Sequence, residues 1–156
     1  MHHVGHLRPY PLTNRRQGNH IASFLTNAGA DGLQSGGSIT WASDTIKARL
    51  VASSATVNKD DTTMTPYTVI GTDQTLGSKT KTKDTTNDRI VYSAAALTWA
   101  AVAGGSTVGY VCIFKFVTND AGSTPIAVID VADTATNGGD LTLTADGTNG
   151  FFYTQQ

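Results

Sequence analysis

The stretch Gly109-Tyr110-Val111-Cys112-Ile113-Phe114-Lys115-Phe116-Val117 decides the fold class. On a pleated backbone, Tyr110, Cys112, Phe114 and Phe116 share one face, while Val111, Ile113 and Val117 share the other. A strand apolar on both faces belongs between two layers. The Tyr110 to Phe116 face is therefore expected at the centre of the core. Cys112, the single cysteine, reads as a small buried residue in an apolar setting rather than a nucleophile, and it excludes an internal disulfide.

Upstream, residues 45–52 alternate as a half-buried strand does, with Ile46, Ala48 and Leu50 on one side and Thr45, Lys47 and Arg49 on the other. Lys47 and Arg49 thus share the wetter face and become candidate partner-binding residues of the body. Further strands are expected at 38–41, 89–93, 126–131, 141–144 and 151–154, separated by Asp-, Asn- and Gly-rich turns. Residues 53–88 read mostly as loop, with a short strand at 67–70. All twelve acidic residues are aspartate, which with abundant Thr, Ala, Gly and Val favours turns and strands over helices. The 156 residues have room for one domain. An all-β class follows: a single β-sandwich or flattened barrel over residues 19–156. One short helix is expected at 20–28, capped by Asn19, with Ile21, Phe24, Leu25 and Ala28 on one face and Gly29 as its stop.

Residues 1–20 hold all four histidines, Arg8, Arg15 and Arg16, and no acid, a charge of +3 with neutral histidines. The remaining residues sum to −4. Without an apolar period, the Arg8-Pro9-Tyr10-Pro11 region cannot build a core alone. Residues 1–18 therefore read as an extended basic arm, ordered when a partner supplies contacts, with Arg8, Tyr10, Arg15 and Arg16 as its candidate partner-binding residues. No apolar leader precedes the body, and the longest alanine-rich stretch is too short to span a bilayer. A soluble protein, not secreted by the usual route and without a membrane partner, is the expectation.

Motifs that would carry catalysis fail on the working residue. In Gly71-Thr72-Asp73-Gln74-Thr75-Leu76-Gly77-Ser78-Lys79 the glycine spacing is one too long for a phosphate loop, and Ser78 stands where lysine must reach. Between Gly104 and Gly109 the spacing fits, but Tyr110 replaces the lysine, and no serine sits in a nucleophile elbow. His2, His3 and His6 lack an accompanying carboxylate or thiol for zinc. Asp130, Asp133, Asn137, Asp140 and Asp146 offer hard oxygens for calcium but serve equally as turn formers. Lys79, Lys81 and Lys83 lack the interleaved aromatics of a nucleic-acid groove and suit a guarded sheet edge. Trp41 and Trp99 form a sugar-stacking platform only if exposed. The expectation is a non-enzyme with no cofactor, no metal and no nucleic-acid partner.

The run Gly37-Ser38-Ile39-Thr40-Trp41-Ala42-Ser43-Asp44-Thr45-Ile46-Lys47-Ala48-Arg49-Leu50-Val51 resembles small structural proteins of tailed-bacteriophage virions, in which Ile-x-Trp precedes Asp-Thr-Ile-Lys and an apolar pair. Ala96-Leu97-Thr98-Trp99, the segment from Pro125 to Asp130, Gly138-Gly139-Asp140 and Gly150-Phe151-Phe152 resemble later blocks of the same family. The resemblance covers residues 19–156. It implies a β-rich particle component of head decoration or cement type, located on the capsid surface, without enzymatic activity. Its partners would be the major capsid protein and further copies of itself. Competing readings are a tail or fibre module that contacts host glycans through Trp41, Trp99 or the acidic loops, and a ring-forming head-tail connector.

Overall fold

The computed structural model describes residues 10–12 and 23–155. Its centre is a five-stranded sheet ordered β2-β9-β8-β3-β4, formed by Phe24–Leu25, Thr124–Ala135, Thr107–Lys115, Ile46–Ala52 and Ile70–Thr75. The apolar stretch of residues 109–115 lies in β8, with β3 and β9 antiparallel on either side. Two three-stranded sheets accompany it. One has the order β1-β10-β7 (Tyr10–Leu12, Leu141–Leu143, Leu97–Trp99), and the other β11-β6-β5 (Phe152–Gln155, Arg89–Ser93, Thr80–Asp84). The fold is all-β, as expected, and among the described residues no sheet closes into a barrel.

The pleat of the central sheet divides the interior in two. Ile46, Leu50, Val111, Ile113, Ile129 and Val131 face both small sheets, meeting Leu97, Trp99 and Leu141 from one and Tyr92 from the other. Tyr110, Cys112 and Phe114 face the opposite way, where segment 53–69 covers them with Val57, Met64 and Tyr67. The expectation that this face is the centre of the core is corrected: it forms the smaller of two clusters. Phe116 packs at the margin of that cluster, and Val117 lies 54% exposed beyond the strand end. The second layer expected over this face is present, but as chain without regular strands.

Three other expectations are corrected. Phe24 and Leu25 form β2, paired with Val128 and Ala127, so the helix does not run over 20–28. It spans Asn27–Gly32, because the Thr26 hydroxyl caps it by accepting from Gly29 N at 2.9 Å and donates to the Pro125 carbonyl at 2.6 Å. Residues 38–41 are turn and irregular chain rather than strand, although Trp41 is buried. Asp44 holds this turn by accepting from Thr40 N at 2.7 Å and pairing with Lys115 at 2.9 Å. Within the region read as loop, β4 and β5 form two strands, neither matching the short strand expected at 67–70.

The arm also meets the body earlier than expected. Tyr10, Pro11 and Leu12 pair in parallel with Leu141, Thr142 and Leu143, and Leu12 enters the larger cluster at 5% exposure. One buried leucine is enough to join the arm to the core when a sheet edge supplies the backbone partners.

Candidate functional site

Arg49 and Lys47 do lie on one face of β3, but that face is not uniformly wet. Arg49 stands opposite Cys112 in β8, under segment 53–69, and is 5% exposed. Its placement as a partner-binding residue is therefore corrected. Its Nε–H and Nη2–H donate to the two carboxylate oxygens of Asp73, both at 2.8 Å. Nη1–H and Nη2–H donate to Asp120 at 2.9 and 2.8 Å, and Nη1–H also reaches the Tyr67 carbonyl at 2.8 Å. The guanidinium joins β4, the Asp120–Gly122 turn and the covering segment. A buried charge requires such partners, since leaving water without them is costly.

The electrostatic consequences follow the contacts. Hydrogen bonds from Arg49 hold the Asp120 carboxyl below its ordinary range against the opposing effect of burial. The Arg49 guanidinium is held charged, first by its hydrogen bonds to Asp73 and then, against burial, by those to Asp120. The Tyr67 hydroxyl titrates higher than usual through burial and through its 2.7 Å bond to Asp61. Burial raises the Cys112 thiol, whose Sγ lies 3.7 Å from Met64 Sδ. None of these groups is arranged as a nucleophile beside a base.

Lys47 is half-buried, with its ammonium 3.6 Å from the Phe116 ring centre. Val117, just beyond the end of β8, is exposed. Tyr10 opens β1 at the edge of the β1-β10-β7 sheet. Arg8, Arg15 and Arg16 lie outside the described residues, and so do His2, His3 and His6. The structure thus separates Lys47 from Arg49 in role.

The other sequence candidates resolve into structural duties. Trp41 and Trp99 are 3% and 1% exposed, which removes the sugar platform. Asp140 accepts from Ala101 N, Asp146 from Thr148 N and Asn149 N, and Asn137 from Gly139 N. Among the described residues, no three histidine, cysteine or carboxylate groups gather where one metal ion would touch them. Lys79 donates to the Asp44 carbonyl, and Lys81 lies 5.7 Å from the Tyr92 ring centre, so the lysine run does not act as one patch. An open groove of about 580 Å³ crosses β5 and β6, bearing Thr80, Thr82, Ser93 and Thr148 but no aromatic face. No described helix is long and apolar enough to cross a membrane.

Asp73 and Asp120 escape a reading of the sequence because they lie 24 and 71 residues from Arg49. No local spacing couples them. Comparison with known proteins adds no identity: no family model, no curated protein and no solved structure matches this chain.

Proposed function

We propose that this protein is a structural component of a tailed-bacteriophage virion, of decoration or cement type, that binds the major capsid protein lattice on the capsid surface. The observation that carries the reading is the joint between arm and body. A segment carrying +3 is fastened by β1 to a body of opposite sign, with Arg8 two residues before the strand and Arg15 three residues after it. Through β1 the segment that contains Arg8, Arg15 and Arg16 belongs to the body, and we take their charges to engage carboxylates of an adjoining subunit. The family resemblance and the all-β body support the same reading. Burial of Trp41 and Trp99 disfavours the glycan-binding alternative.

Exposed charge pairs contribute little singly, so attachment would rest on several acting together and would weaken with salt. The test is addition of purified protein to particles assembled without it. Saturable binding that raises the temperature at which the particles rupture is expected. The triple change Arg8→Gln, Arg15→Gln and Arg16→Gln should lower occupancy at least tenfold with the melting temperature unchanged. Failure of the parent protein to bind, or undiminished binding by the triple variant, would overturn the role given to the arm or to the protein.

A further inference from the structure

We propose that the β10 edge is a self-association surface, on which the Tyr10–Leu12 strand of a second copy takes the place of the chain's own. Among the described residues β1 has a single strand neighbour, β10, and lies at the outer edge of its sheet. The pairing is Tyr10 with Leu141, Pro11 with Thr142 and Leu12 with Leu143. Those contacts are identical whichever copy supplies the strand, and this equivalence is the physical basis of strand exchange.

Two features make exchange accessible from the internal pairing. The attachment is shallow: the ladder is three residues long, and Leu12 is buried while Pro11 is exposed. The strand can therefore leave without opening the central sheet. Ten residues separate Leu12 from Ser23, and ten extended residues span at most about 33–36 Å, comparable to the breadth of a small domain. The charges do not oppose it, because the +3 of residues 1–20 meets a −4 body whether that body is its own or another copy's. Reciprocal exchange closes a twofold dimer, and one-way exchange builds a ring or a row. Crowding of copies on a surface raises the effective concentration and shifts the balance toward exchange.

The test uses the free full-length chain, so its outcome is independent of particle binding. Sedimentation equilibrium of the parent should show mass rising with concentration, and Leu12→Asp should return it to the monomer. In a second measurement, chains bearing Pro11→Cys are mixed with isotopically heavy chains bearing Thr142→Cys and then oxidised. Cys112 is fully buried, and replacing it with serine in all chains removes the one other thiol. A mixed-mass disulfide dimer is expected, at least tenfold more abundant than when the Pro11→Cys chain also carries Leu12→Asp. A parent that stays monomeric at every concentration, or Leu12→Asp chains that associate and cross-link as the parent does, would overturn the proposal.

Discussion

Arg49 makes five hydrogen bonds at once, three of them to groups that hold the cover and its neighbouring turn over β8. Arg49→Met keeps the aliphatic stem but leaves Asp73, 17% exposed, facing a low-dielectric interior. A loss of about 2–4 kcal/mol is expected in urea unfolding, below the fully buried limit because Asp120 is half open to water. Arg49→Lys should recover only part of this, since an ammonium cannot fork to two carboxylates. The same pair sets a pH dependence. The folded Asp120 carboxyl titrates below its unfolded value, so its contribution is complete above about pH 4 and is lost as pH falls through the folded value. Asp120→Asn should be less stable at pH 7 and show a flatter fall between about pH 4 and 2 in urea melts. Phe114, fully buried against the cover, should lose about 3–5 kcal/mol on truncation to alanine. Melting of Phe114→Ala together with the parent would contradict the packing described for that face.

Among the elements, those with an alternating apolar face were legible in the sequence and those held by backbone pairing were not. β3, β6, β8, β10 and β11 carry alternating or buried positions and lie near their expected places. β5, Thr-Lys-Thr-Lys-Asp, has no apolar residue and four exposed side chains, so no pattern of burial announced it. Its ladder with β6 makes it a strand, and its position at the sheet edge fits the guarding role read from Lys81 and Lys83. Replacing both lysines with valine should leave the fold intact but cause concentration-dependent aggregation, measurable by light scattering, because an uncharged edge accepts another strand. The helix departs from its apolar spacing for a different reason. Gly29 lies inside α1 rather than at its stop, and it is glycine because a β-carbon there would come 2.5 Å from Ile126 Cα. Gly29→Ala should lower stability by about 1–3 kcal/mol in thermal melts, the usual magnitude for forced overpacking.

At the scale of the molecule, the sequence showed the opposition of charge between arm and body but not where the two meet, because the few scattered apolar residues of the arm give no period. The Arg49 network was equally hidden, being assembled from distant parts of the chain. The division of the interior has its own experimental consequence. Both tryptophans, Trp41 and Trp99, belong to the larger cluster, on the side of the central sheet away from segment 53–69. Their emission therefore monitors that half of the molecule and is blind to the other. Lifting of segment 53–69 would leave the fluorescence spectrum unchanged while exposing Cys112, the one thiol. Under native conditions Cys112 should react with a maleimide dye at a rate set by that opening, and Arg49→Met should speed the reaction at least tenfold with no shift in the emission maximum. A study that followed unfolding by tryptophan emission alone would not register a separate release of the cover, which the Cys112 reaction would detect.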